Sequence, residues 1–427
     1  MIIKKMQSLA PVIIRFFLLF FCILDMAATA EADPNIHGKT AKITPETPEP
    51  TRYAVRGTKV YDLVLGAPVF FRGIGYSPYM QRETPLNGAG PGNDDRYQSH
   101  IPLMRSLGVN YLHVFPLYMP PKFFAALDQT ELLYGQDIWI EPHVEDYLSE
   151  TYQASTLAHI KEVIDHTYAV GRPDRLVLFS IGDEMRPDAI LRTDTRNPHV
   201  RDYIGKHVVV TGRTPTEVAL ARLIDQAMAY ELSRYGRRHL YCHTSFTHVG
   251  PLIRPDLEVP GTSALNPDMG DLVCLNIYTY ARGVITSPPG SETGTTFQGY
   301  LEELTSIIQK PVFITQVGLS TSPFEPKPWV PGFGGHRVAD VPADFRAVWR
   351  DITTVRGHEK FCGVAFFELH DEWWKSGENP TDSELHDLND PEEWFGIYEI
   401  DAENRLVPKG KIPNTIRELY IPGSSSP

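Results

Sequence analysis

Asp183 and Glu184 stand side by side where the apolar run "RLVLFSIGDE" turns polar, and other apolar runs end the same way. They deliver His113, Glu141 with His143, Tyr278, Gln316, and Glu368 with Asp371 and Glu372. One such residue can be a strand re-entering solvent. Several brought to one face of a fold make a binding site. Tyr76, Tyr278, Trp329, Trp373 and Trp374 add aromatic rings. Rings stack on sugar faces and carboxylates accept hydroxyl hydrogen bonds, so this mixture suits a neutral carbohydrate. His113, His143 and Glu141 are also metal-binding types, but no tight ligand spacing supports a metal, and no cofactor is expected. Gln316 is the exception in chemistry. It ends "PVFITQVG" with a neutral amide where many barrel enzymes place a carboxylate.

Strand-like and helix-like stretches alternate along the chain. The strand candidates span 69–76, 109–116, 137–143, 175–184, 239–245, 272–280, 311–318 and 363–374. Helical patterns fall between most of them, as in "STLAHIKEVIDHTYAVG" and "TEVALARLIDQAMAYELSRYG". Eight strands alternating with helices, and no Gly-rich phosphate loop after the first, predict a (β/α)8 barrel rather than an open sheet. "TKVYDLVLGAPVF" reads as a hairpin plugging the barrel floor. Long irregular segments at 186–213, 281–296, 319–341 and 375–393 follow strands four, six, seven and eight. In a barrel these lie on the face where active sites form.

The chain has 427 residues, 42% hydrophobic and 11% aromatic, enough for one large core. Residues 1–30 read as a secretory signal: Lys4, Lys5 and Arg15, then "FFLLFFCIL", then Ala28-Thr29-Ala30. An apolar run of that length cannot cross a ~30 Å hydrocarbon core, so no membrane span is expected after cleavage. Residues 31–52 read as a proline-rich tether, 53–421 as the barrel and 422–427 as a flexible tail. The expected location is secreted or periplasmic. Removing residues 1–30, which also carry Asp25, takes the net charge from −13 to −15. Such a surface excludes nucleic acid and anionic polysaccharide as main partners. Cys242, Cys274 and Cys362 then allow at most one disulfide.

Five motifs in order carry a resemblance. "FFRGIGYSP", "LMRSLGVNYLHVF", "FSIGDE", "KPVFITQVG" and "GVAFFELHDEWWK" with "PEEWFGIY" are similar to strands one, two, four, seven and eight of clan A glycoside hydrolases, close to the family 2 and family 5 type. The likeness covers roughly residues 58–400. It implies a retaining glycosidase with Glu184 as general acid/base and residue 316 as nucleophile, the two carboxyls ~5–5.5 Å apart. Three linked departures follow. Gln316 cannot attack, His113 takes the place of an arginine, and Asp183 takes the place of an asparagine that would bond the sugar 2-hydroxyl. A carboxylate–arginine pair has become an amide–imidazole pair, leaving no uncompensated cation, as native divergence would.

Three readings follow. In one, Glu184 donates the proton and Glu141, Glu368, Asp371 or Glu372 activates water in an inverting reaction. In another, Asp183-Glu184 works as in substrate-assisted hexosaminidases, the aspartate orienting an acetamido group that attacks the anomeric carbon. In the third, the barrel binds glycan without turnover. Glu184, Asp183 and Gln316 are thus the expected catalytic set. His113, Glu141, His143, Tyr278, Glu368, Asp371, Glu372 and Trp374 are the expected substrate-binding set.

Overall fold

A computed structural model of the chain describes residues 52–85, 88–323, 332–375 and 386–423. The signal segment, the tether up to residue 51, Trp329 and residues 424–427 of the tail lie outside the described residues. Eight parallel strands close into a barrel. They are β1 (Phe71–Tyr76), β2 (Tyr111–Val114), β3 (Leu133–Ile138), β4 (Leu176–Asp183), β5 (Leu240–Phe246), β6 (Val273–Asn276), β7 (Val312–Val317) and β8 (Phe361–Phe366). Each pairs with the next, and β8 returns to β1 through Gly363–Phe71 and Val364–Arg72. The expected (β/α)8 barrel is the observed fold.

Helices cover the strands. They are α1 (Arg96–Ser106), α2 (Pro121–Leu127), α3 (Glu150–Ala169), α4 (Pro187–Arg196), α5 (Pro215–Tyr235), α6 (Thr296–Ile307), α7 (Val341–Thr354) and α8 (Ile412–Tyr420). The longest, α5, has local reasons for both ends. The Thr214 hydroxyl accepts the Glu217 N–H, the Glu217 carboxylate accepts the Thr214 N–H, and Gly236 closes the helix at φ 71°.

The floor is closed as expected, by a three-stranded antiparallel sheet over Tyr53–Arg56, Lys59–Asp62 and Ala67–Pro68. Tyr53 and Val60 pack there with Phe71, Tyr111 and Phe313. The three cysteines share this floor layer as free, buried thiols.

Two strands depart from expectation. The eighth was expected at 363–374 and runs over Phe361–Phe366. The third was expected at 137–143 and runs over Leu133–Ile138, so only Asp137 and Ile138 overlap. The apolar run starts earlier, and Gly135 interrupts its pattern because a Cβ there would strike the Tyr111 hydroxyl. The segment 186–213 is not irregular throughout: it contains α4 and a short hairpin, Tyr203–Ile204 with Val209–Val210.

Candidate active site

The open end of the barrel holds a cavity of about 650 Å³. Its polar centre starts at the end of β4. Gly182 (φ 72°) and Glu184 (φ 49°) both have left-handed backbones. For Glu184 this conformation costs on the order of 1–3 kcal/mol and points to a functional constraint. The Glu184 N–H donates to Thr244 O at 3.3 Å, tying this end to β5.

The side chains beyond it form one network. Asn276, last residue of β6, donates from Nδ2 to Glu184 Oε1 (2.8 Å) and Asp183 Oδ1 (3.0 Å). The Thr315 hydroxyl fixes Asn276 by donating to its Oδ1 at 2.8 Å. Gln316 on β7 donates from Nε2 to Asp183 Oδ2 at 3.2 Å, and its Oε1 accepts the Tyr278 hydroxyl at 2.8 Å. The amide thus faces an acceptor on one side and a donor on the other. A carboxylate in its place would put oxygen against oxygen beside Asp183.

Charge is crowded here. Asp183 is pushed well above the usual carboxylate range by burial, then by Asp137 and Glu184. Asp137, at the end of β3, is pushed up to about 8 by burial, with Glu184 adding; Ser180, the Ile138 amide and Trp139 oppose the rise. Burial and mutual repulsion favour the protonated forms of Asp137 and Asp183.

The segment after β8 supplies the opposite wall. Glu372 pairs with Lys375 at 2.8 Å and accepts the Trp374 indole N–H at 3.2 Å; all three line the cavity. Glu368 is buried outside the lining, its pKa driven up by burial and by Glu372. Asp371 is also outside it. Its carboxylate meets Lys409 Nζ at 2.6 Å and accepts the Gly396 N–H at 2.9 Å, in a buried ion pair behind the wall.

The remaining expected residues do not converge. His113 is fully buried under the cavity, against Tyr111 (3.4 Å, Oη to Nδ1) and Phe115 (5.0 Å between rings). Burial pushes its pKa down to about 3, so it is neutral. Glu141 and His143 are exposed beyond β3, where Glu141 accepts the His143 N–H at 2.8 Å. The shift of β3 explains their loss: its last carboxyl is Asp137. With His113 buried and the other two exposed, those three do not make a metal site. No other cluster of three or more ligand-type side chains suits a metal among the described residues.

Of the expected residues, Asp183, Glu184, Gln316, Tyr278, Glu372 and Trp374 line the cavity. Asp137, Asn276 and most of the rings were missed. Trp139, Phe246, Tyr280, Phe333 and Phe395 form the aromatic walls, whereas Tyr76 is buried against Phe123 and Trp373 stacks on His386. Asn276 was findable, since "LVCLNIYTY" turns polar there. Asp137 was hidden because the sequence pattern puts it at the start of a strand, whereas it stands at the end of one.

No protein-family profile matches the chain, and no curated protein is significantly similar to it. Solved structures do share the fold. Gas2 of Saccharomyces cerevisiae, seen as a Glu-to-Gln variant with laminaritetraose and laminaripentaose, has a TM-score of 0.51 at 15% identity, covering 88% of this chain and 68% of its own. A β-glucuronidase from Ruminococcus gnavus has 0.52 at 12%, covering 86% and 52%. A GH2 β-galacturonidase from Eisenbergiella tayi bound to galacturonate has 0.52 at 16%, covering 86% and 54%. The chain spans only about half the length of these last two. All three define a barrel that is built like those of glycoside hydrolases.

Proposed function

We propose that this chain is an exported glycosidase that cleaves a β-linked oligo- or polysaccharide, with Glu184 as general acid and Asp183 as the second group. The observation that carries this is the hydrogen-bonded set Tyr278–Gln316–Asp183–Asn276–Glu184 at the cavity floor. It leaves one carboxyl free to donate a proton and holds its neighbour in place through two amides.

Among the carboxyls considered for activating water, Glu141 is exposed, Asp371 is locked to Lys409, Glu368 is outside the lining, and Glu372 is occupied by Lys375 and Trp374. Asp183 is the group best placed beside Glu184, which favours substrate assistance. In that reaction the acetamido oxygen of a 2-acetamido sugar attacks the anomeric carbon. The bond to the leaving oxygen breaks, and that oxygen takes the Glu184 proton. Asp183 accepts the acetamido N–H and so orients the acetamido oxygen toward the anomeric carbon. Glu184 then takes a proton from the water that opens it. The uronates of two structural neighbours are not carried over to this chain, whose cavity lining holds more carboxyls (Asp183, Glu184, Glu258, Glu372 and Glu392) than cations (Arg186 and Lys375).

The test is a panel of β-linked glycans with and without 2-acetamido groups, followed by release of reducing ends and by NMR of the first-formed anomer. Turnover of acetamido substrates with retention, inhibition by a thiazoline analogue of the intermediate, and a loss of about 10²–10⁴-fold in Glu184→Gln are expected. Inversion would return the role to a water-activating carboxylate such as Glu372. Tight binding with no turnover would leave a glycan-binding barrel.

A further inference from the structure

A general acid must touch the oxygen of the bond it breaks, so the leaving group has to lie beside Glu184. Glu184 directly follows β4, whose barrel neighbours are β3 and β5. Both neighbours end in rings. Trp139 is the first residue after β3 and Phe246 the last of β5, and both line the cavity. The polar contacts Asn276, Tyr278, Gln316, Glu372 and Lys375 come instead from β6 and β7 and from the segments that follow β6 and β8.

Trp139 is 48% exposed and is the one exposed Phe, Tyr or Trp ring among the described residues. An indole left open at the mouth of a cavity is apolar area waiting for a partner. It is not held loosely, because His159 Nε2 donates to its carbonyl at 3.0 Å and Ile140 after it is buried. Across β4, Phe246 stacks on His248 with centroids 4.9 Å apart and planes 30° apart. Glu258 fixes His248 at 3.0 Å and also meets Arg282 at 3.3 Å. Two ring surfaces therefore flank the proton donor, with charged groups at the rim of one of them.

Resting on the glycosidase reading, we propose that Trp139, Phe246 and His248 form a subsite for a sugar ring on the leaving side of the cleaved bond. The substrate is then a chain of pyranoses joined to one another, not a sugar linked to a small alcohol. A β-linked pyranose suits this place. Its equatorial hydroxyls point outward to rim groups such as Glu258, and its C–H face covers the indole. The same subsite would accept a second sugar as acceptor when the intermediate is resolved by transfer rather than by water.

Glycosyl fluorides separate the two sides of the bond, because fluoride leaves no ring in the subsite. Turnover by the full-length protein is compared for fluorides and for laminari-, cello- and chito-oligosaccharides from dimer to pentamer, alongside calorimetric binding of the tetramers. In Trp139→Ala the ratio of oligosaccharide to fluoride kcat/KM falls about tenfold, and Trp139→Phe recovers most of it. An unchanged ratio overturns the subsite and leaves the glycosidase reading intact. Should nothing be turned over, the leaving-side assignment is overturned together with the glycosidase reading, and tetramer binding about tenfold weaker in Trp139→Ala leaves only a sugar platform at Trp139. Equal tetramer binding by both proteins, or none by the wild type, overturns the subsite.

Discussion

Gln316 lies between a hydroxyl at 2.8 Å and a carboxyl at 3.2 Å, and it gives an acceptor to one and a donor to the other. Gln316→Glu keeps the shape and reverses half of that match. The new carboxyl must stay protonated or face Asp183 with a like charge, so stability falls by about 1–3 kcal/mol. No retaining activity is gained, and a fluorosugar that labelled residue 316 would refute that. His113→Arg does not rescue the change, because His113 is fully buried and neutral and a guanidinium there would be an unpaired buried charge. Asp137 has a pH signature of its own. It keeps its proton up to about 8 in the folded chain, whereas an unfolded aspartate ionises near ~3.9. Between those values the unfolded chain binds fewer protons, so this group lowers stability as pH rises through the interval. Asp137→Asn removes the loss. Its thermal stability relative to wild type should climb from pH 5 to pH 8, by at most about 1.4 kcal/mol per pH unit. A difference independent of pH would show that Asp137 is ionised throughout.

At the scale of elements, the eight strands were legible because fully buried parallel strands write themselves as apolar runs with polar ends. β4 and β7 stand within a residue or so of their expected limits, and the Asp183, Glu184 and Gln316 side chains came with them. β3 was misplaced for a reason specific to the barrel interior. Gly135 makes room for the Tyr111 hydroxyl from the adjacent strand, a constraint between strands that no single run displays. That displacement carried Glu141 and His143 into the expected site and kept Asp137 and Trp139 out of it. α2, α4 and α8 were missed as well; α4 lies in a segment whose short, polar pattern resembles a loop. The packing at Gly135 can be measured. Gly135→Ala should destabilise by about 1–3 kcal/mol through overpacking, and Tyr111→Phe in the same chain should recover part of the loss. Denaturant unfolding of both singles and the double variant gives the coupling, and strictly additive effects would place the strain elsewhere.

At the scale of the whole molecule, the chain's end closes the barrel and supports the site wall. The Tyr420 hydroxyl of α8 donates to Gly73 O at 2.7 Å and Val364 O at 3.2 Å, joining the last helix to β1 and β8. Just before α8, Lys409 reaches Asp371, the Thr321 hydroxyl (2.8 Å) and Trp394 O (3.1 Å), and lysine and aspartate are both buried. Asp371 stands immediately before Glu372, and Glu372, Trp374 and Lys375 line the cavity. The pair is therefore a strut under that wall, and its role lies in position rather than in touching a substrate. Lys409→Met removes the cation and leaves a buried carboxyl without its partner, which costs about 3–5 kcal/mol. The cost should depend on pH with a defined sign. Burial already pushes the Asp371 pKa up to about 7 against the pull of Lys409, and without Lys409 it rises further. The variant's deficit is then smaller near pH 5, where Asp371 takes up a proton, and larger near pH 8, where ionisation in the folded state would isolate a charge. Adding Asp371→Asn should recover most of the stability at the higher pH, because the group that demanded the cation is gone. Chemical denaturation at both pH values reads all three proteins. A deficit that stays constant with pH, or a double variant no better than the single, would mean that Lys409 supports this end of the barrel through Thr321 and Trp394 and not through Asp371.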